Sequence, residues 1–265
     1  MTEKLRQLIR GPIGSNTWLY RTGATAFGDA AVLFKAGFAT CLQMRRLRRR
    51  DQLGKPAESV GLANLDHPIK LRPGTNDALA VINNIVREEC GQLDADFSPV
   101  SLIDAGAYIG DTSAYLLSRF PNLRSIALEP NPESYNLASQ NLAPYGNRVE
   151  LLDYALAGHT GSAFISGHEM GAQVNSSEGV EVKTTTVDEM LDRLPGKRAS
   201  ILKMDVEGSE AEVFSSAPDK WLPRVDYMLV ETHDAHTTQL VLGVLADNDW
   251  QVRRFRSLYY CRPRG

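Results

Sequence analysis

The chain has 265 residues, 43% of them hydrophobic and 23% charged, with a net charge of −3. That is ordinary globular composition, enough for one α/β domain of roughly 200 residues plus an extension. The charge balance gives no general attraction for nucleic acid. Cys41, Cys90 and Cys261 are too few and too scattered for a disulfide framework or a metal-type spacing, which suits a reducing compartment.

Residues 1–60 hold eleven Lys/Arg against four Asp/Glu, and the excess peaks at Arg45, Arg46, Arg48, Arg49 and Arg50. A cluster of this kind suits anionic lipid or phosphate, and peripheral membrane contact through it is one reading; a solvated helix face is the plain one. The apolar stretch Thr22 to Leu42 is broken by Asp29 and Lys35 and falls short of the ~20 apolar residues of a spanning helix. The first residues lack the order of a secretory signal, so the expectation is a cytoplasmic protein. Residues 1–60 read as an N-terminal helical extension and 61–265 as the main domain. The oligomeric state is left open.

After a linker around Gly54-Lys55-Pro56, Pro68 to Arg72 predicts a short strand. Thr75 is a candidate N-cap for a helix with Leu79, Val81, Ile82, Ile85 and Val86 on one face, stopped near Gly91. From Pro99 strands and helices alternate. Strands are predicted at Val100–Asp104, Arg124–Glu129, Arg148–Leu152, Ser200–Met204 and Val225–Glu231. Helices are predicted at Asp111–Phe120, Pro132–Leu142, Val187–Leu194, Ser209–Ser215 and Thr237–Ala246. Gly158 to Thr185 suggests a hairpin or loop insertion, and Trp250–Phe255 with Leu258–Cys261 a closing antiparallel hairpin. The pattern predicts an α/β fold, a doubly wound parallel sheet covered on both faces, with that terminal hairpin and the N-terminal helical extension.

Ligands of such sheets bind beyond the carboxyl ends of the strands. After the first central strand the chain reads Asp104-Ala105-Gly106-Ala107-Tyr108-Ile109-Gly110-Asp111-Thr112. This is a glycine turn but not the dinucleotide fingerprint, because the third glycine is missing. Asp104 and Asp111 would repel a pyrophosphate and suit S-adenosylmethionine, which carries a sulfonium and an ammonium group. Glu129-Pro130-Asn131-Pro132 places an acid about 20 residues on, where it can accept from both ribose hydroxyls. Asp153 and Ala155, after the third strand, fall where an adenine would lie.

These segments, with Thr184-Thr-Thr-Val-Asp188 and Lys203-Met-Asp-Val-Glu-Gly-Ser-Glu210, resemble the FkbM family of methyltransferases over roughly residues 68–235. Arg72-Pro-Gly-Thr-Asn-Asp77 resembles that family's opening segment. The resemblance implies a class I (Rossmann-like) methyltransferase sheet, S-adenosylmethionine as cofactor, and O-methylation of a small-molecule, sugar or natural-product hydroxyl, so a small-molecule or glycan acceptor. It also implies that Arg72, Thr75 and Asp77 close over the cofactor, Arg72 reaching its carboxylate.

An alcohol must lose its proton during or after attack, which calls for a base or a metal. Asp205, Glu207 and His233 follow neighbouring strands, so they are the catalytic candidates together with Lys203, which is predicted to pair with Glu231 or Asp205. Asp205 also faces the cofactor. Two mechanisms stay open: His233, with a pKa near neutrality, as base, or a divalent metal held by Asp205, His233 and either Glu231 or Glu207. The stretch Gly167-His168-Glu169-Met170-Gly171 is expected to shape the acceptor site. The rival readings are an NAD-type oxidoreductase on a similar fold and a non-catalytic S-adenosylmethionine-binding module.

Overall fold

The structure, a computed structural model, describes residues 18–166, 173–174 and 179–264. It opens with helix α1 (Trp18–Leu47), interrupted at Gly37, whose φ of 85° is outside the helical range. Strands β1 (Glu58–Val60) and β2 (Ile69–Leu71) form a separate antiparallel ribbon. A short helix α2 (Asp77–Val81) runs directly into a π-helical turn over Ile82–Val86. The helix predicted here thus runs on to Val86 with a π-helical last turn, and Leu79, predicted on its apolar face, is exposed.

The α/β body begins at β3 (Ser101–Ala105) and continues through α3 (Asp111–Arg119), β4 (Arg124–Leu128), α4 (Pro132–Leu142) and β5 (Val149–Leu152). The insertion is a small sheet of β6 (Tyr154–Leu156), β7 (Gly161–Ser166), β8 (Gln173–Val174) and β9 (Val180–Thr185), in the order β6-β9-β7-β8. Then follow α5 (Val187–Arg193), β10 (Ala199–Met204), α6 (Glu210–Ser215), α7 (Pro218–Trp221), β11 (Val225–Val230), α8 (Ala235–Asp247), β12 (Trp250–Phe255) and β13 (Leu258–Pro263).

The main sheet has seven strands in the order β12-β13-β11-β10-β3-β4-β5. Strands β11, β10, β3, β4 and β5 are parallel, with β5 at one edge, and β13 joins β11 antiparallel with β12 outside it. This is the expected doubly wound α/β sheet with a terminal antiparallel hairpin. Strand order reverses between β3 and β10, so the crevice beyond their carboxyl ends is the topological switch point.

Successive residues of a strand face opposite sides. Leu102, Ala127, Ile201 and Leu229 enter one core, and Ile103, Leu128, Leu202 and Met228 the other. The central strands are buried on both faces, which is why they read as near-continuous apolar runs. Val32, Met44 and Leu47 of α1 share the first core with Ile82 and Ile85. The described part of the extension is therefore packed into the same body as the sheet.

Candidate active site

Two acidic clusters flank the switch point, and Lys203 sits between them. Gly106 allows this arrangement. Its φ is +77°, and a Cβ there would lie 1.8 Å from the carbonyl oxygen of Asp205. The turn after β3 is thus in backbone contact with the turn after β10. Gly106 and Ala107 both donate to the Leu128 carbonyl at the tip of β4, at 3.0 and 2.8 Å.

The first cluster is built on Glu129, which is 7% exposed. Its Oε2 accepts from the backbone N–H of Tyr108 at 2.7 Å and its Oε1 from that of Asn131 at 2.8 Å. Each oxygen keeps further acceptor capacity. Burial raises its pKa to about 7, against the opposing pull of those two hydrogen bonds. Pro130 is half-buried in the same turn. Asn131 caps α4, its Oδ1 accepting from Glu133 and Ser134.

Asp104 is fully buried. Its Oδ2 accepts from Ser113, while Oδ1 has no hydrogen-bond partner and lies 3.5 Å from Lys203 Nζ. Lys203 donates to the Gly106 carbonyl at 2.6 Å and lies 3.6 Å from Asp205. Burial opposes its charge, but Asp205 and Asp104 outweigh burial and raise its pKa. Its carboxylate neighbours are therefore Asp205 and Asp104. Asp111 and Thr112 are buried at the start of α3, where Asn84 donates to Asp111 at 2.7 Å and Thr112 lies beside Cys90. Burial lifts Asp111 to about 6. Ala107 is buried, and Gly110 takes a left-handed conformation that closes the turn.

The segment expected to close over the cofactor is held by its own residues. Arg72 makes a two-pronged contact with buried Asp77, at 3.0 and 2.9 Å, and stacks over the Tyr108 ring. The Tyr108 hydroxyl donates to Asp77 at 2.6 Å. Thr75 donates to the Arg72 carbonyl and accepts from the Asp77 N–H. The Arg72 fork is thus engaged by Asp77, a partner that the expected cofactor carboxylate would have to share. At the adenine position Asp153 is exposed and pairs with Lys183 at 3.3 Å. Ala155 is buried with Ile165 and Val182 in the core of the small sheet, so its side chain does not face the crevice.

The second cluster lies beyond β10 and β11. His233 Nε2 is 3.5 Å from Asp205 Oδ1 and 3.3 Å from Glu207 Oε2. Its Nδ1 lies 2.9 Å from Oε1 of fully buried Glu210, which also accepts from the N–H groups of Val206 and Gly208. Burial disfavours the imidazolium, but hydrogen bonds to Asp205 and Glu210 and the charge of Glu207 raise its pKa to about 11. The expected near-neutral pKa does not hold, because three carboxylates surround one ring. Burial also raises the pKa of Glu207, with Asp205 and Glu210 adding to it and His233 opposing.

One ligand atom each from Asp205, Glu207 and His233 lie within 4.8 Å of one another. Of the two acids considered, Glu207 and not Glu231 completes that convergence; burial and then Asp205 raise Glu231 to about 7. Sequence reading placed Glu210 at the end of the Lys203 run without a role toward His233, and missed Asn84. The signal for Glu210 was its place three residues after Glu207 at a helix start, whereas nothing local marks Asn84. The stretch Gly167 to Gly171 lies outside the described residues. A separate open groove of 720 Å³, lined by Asn64, Glu88, Arg119 and Arg253 among others, touches none of these groups.

The family profile described as the Methyltransferase FkbM domain matches residues 104–254, which span both clusters. A hexuronic acid methyltransferase, AglP, of Haloferax volcanii is 29% identical over 136 residues, covering 50% of this chain and 55% of that protein. Over 59 residues, 44% are identical to a ribosomal RNA small subunit methyltransferase H of Synechococcus, covering 22% of this chain and 20% of that protein. Among solved structures, a methyltransferase FkbM from Methylobacillus flagellatus aligns with a TM-score of 0.47 at 17% identity, covering 69% of this chain and 53% of that one. The chain spans about half the length of AglP. Matched over more than half its length by the profile, the chain belongs to the FkbM family of methyltransferases.

Proposed function

We propose that the chain is an S-adenosylmethionine-dependent O-methyltransferase acting on a hydroxyl of a small-molecule or glycan acceptor. The observation that carries this reading is the placement of two unlike clusters on either side of one switch point. Glu129 offers two oriented acceptor oxygens for a ribose diol, and Asp104 Oδ1 is a buried acceptor without a hydrogen-bond partner. These groups fit the hydroxyls and the ammonium of S-adenosylmethionine, and two buried acids argue against a pyrophosphate. When bound, the cofactor supplies an electrophilic methyl group on sulfur.

The chain's own residues then orient the acceptor and take its proton. His233 is a cation in the unliganded protein, so it acts as a hydrogen-bond donor and local positive charge, positioned by Glu210. Glu207, half-buried and raised above an ordinary glutamate, takes the hydroxyl proton, with Asp205 beside it. A second reading rests on the convergence of Asp205, Glu207 and His233. Two carboxylates and an imidazole fit a divalent ion, and a buried carboxylate on the other ring nitrogen is the usual support of a metal-bound histidine.

The AglP relative supports a uronic acid as the first acceptor to try. The test is S-adenosylhomocysteine release over a panel of uronic acids, sugars and other alcohols, with RNA as a separate arm. Turnover on a hydroxylated small acceptor supports the proposal. Turnover on RNA alone overturns the acceptor class, and cofactor binding with no turnover on any substrate favours the binding module.

A further inference from the structure

Helix α1 is apolar on two sides. Its inner side buries Val32, Cys41, Met44 and Leu47. Its outer side exposes Phe27 (64%), Phe34 (92%), Phe38 (67%) and Leu42 (48%). On each side of the break at Gly37 the exposed positions step by three or four residues, 27-30-34 and 38-42-45, so each half has an outer face. A helix packed on a globular body ordinarily turns polar residues to water. An outer face of three phenylalanines marks an interaction surface.

The chemistry beside that face is cationic. Arg45, Arg46 and Arg49 have half or more of their side chains exposed and pair with Asp29, Glu58 and Asp51. Exposed pairs of this kind contribute little and exchange partners readily. Arg48 also pairs with Asp29, so Arg45, Arg46, Arg48 and Arg49 share three carboxylates. Among the described residues, no helix is long and apolar enough to cross a bilayer.

We propose that the outer face of α1 docks on an anionic lipid bilayer, its phenylalanines entering the headgroup–acyl boundary and its arginines meeting lipid phosphates. The charge distribution selects this occupant over two others. A two-fold contact between copies would set the same cationic patch near itself. Residues 1–17 carry Lys4, Arg6 and Arg10 against Glu3, so folding them over the face would add positive charge to it. Docking would also bring the site near the membrane, because Gly74, in the turn between Arg72 and Asp77, donates to the Leu47 carbonyl at 2.7 Å.

The test is flotation of the full chain with vesicles of phosphatidylcholine alone and of phosphatidylcholine mixed with phosphatidylserine. Wild type is expected to float with the anionic vesicles, less so as salt rises, and not with the neutral ones. The double variant Phe34→Asp/Phe38→Asp should partition at least about tenfold less, with an unchanged circular dichroism spectrum and unfolding midpoint. Absence of wild-type flotation, or equal flotation with both vesicles, overturns the proposal. So does a wild-type dimer in light scattering that the double variant dissolves, or lipid binding that arises only after residues 1–17 are removed. None of these outcomes depends on methyl transfer.

Discussion

The backbone N–H of Tyr108 donates to Oε2 of Glu129 at 2.7 Å, joining the glycine turn after β3 to the acidic tip of β4. The carboxylate is thereby aimed before any ligand arrives. Replacing it leaves the ribose hydroxyls without acceptors. Glu129→Ala should weaken cofactor binding by about 1–3 kcal/mol, read by calorimetry as a higher Kd with turnover at saturation far less affected.

The same group predicts a pH dependence. With a pKa of about 7 in the unliganded protein, Glu129 is an acceptor-only carboxylate above that pH and protonated below it. Cofactor affinity should therefore fall about tenfold between pH 8 and pH 6, and Glu129→Gln should flatten that slope. Stability runs the other way. The folded pKa lies above the unfolded value, so the native state holds the extra proton between roughly pH 4.5 and pH 7. This residue's contribution to the stability of the unliganded protein rises as pH falls through that window.

Glu207 is the proposed proton acceptor. Glu207→Gln should slow turnover on the order of 10²-fold or more while leaving cofactor affinity within a factor of about two. A chelator separates the two readings of the cluster. Activity unchanged by chelation supports proton transfer to Glu207, and activity lost and then restored by magnesium or manganese supports the metal.

Gly106 predicts a structural cost. An alanine there needs a left-handed backbone and a Cβ inside the Asp205 carbonyl. Gly106→Ala should lower the urea midpoint by an amount equivalent to about 2–4 kcal/mol. Gly243→Ala is the contrast: the position is exposed in α8 with open space around it, and the change should stabilise by up to ~1 kcal/mol.

Much of this architecture could be read from the residues in order. From β3 onward, all but the four strands of the small sheet and the short helix α7, which were not predicted individually, fall within about two residues of their predicted bounds, because buried parallel strands are apolar runs and helix starts carry their own caps, as at Asn131 and Asp234. Asp205, Glu207 and His233 were expected together because β10 and β11 are neighbours. What could not be read depends on pairings across the chain. Asp77 takes the Arg72 fork, and Glu210, 23 residues before His233, joins Asp205 in holding the charge on that ring. The outer face of α1 was hidden because an apolar residue in a helix sequence does not reveal which side is covered.

The central claim is that the crevice beyond β3 and β4 holds an adenosyl group through acids rather than a pyrophosphate through glycines. Titration calorimetry with S-adenosylhomocysteine and, separately, NAD tests it most directly. The account predicts saturable binding of S-adenosylhomocysteine that weakens in Glu129→Ala, and no heat from NAD. Binding of NAD with none of S-adenosylhomocysteine would contradict it.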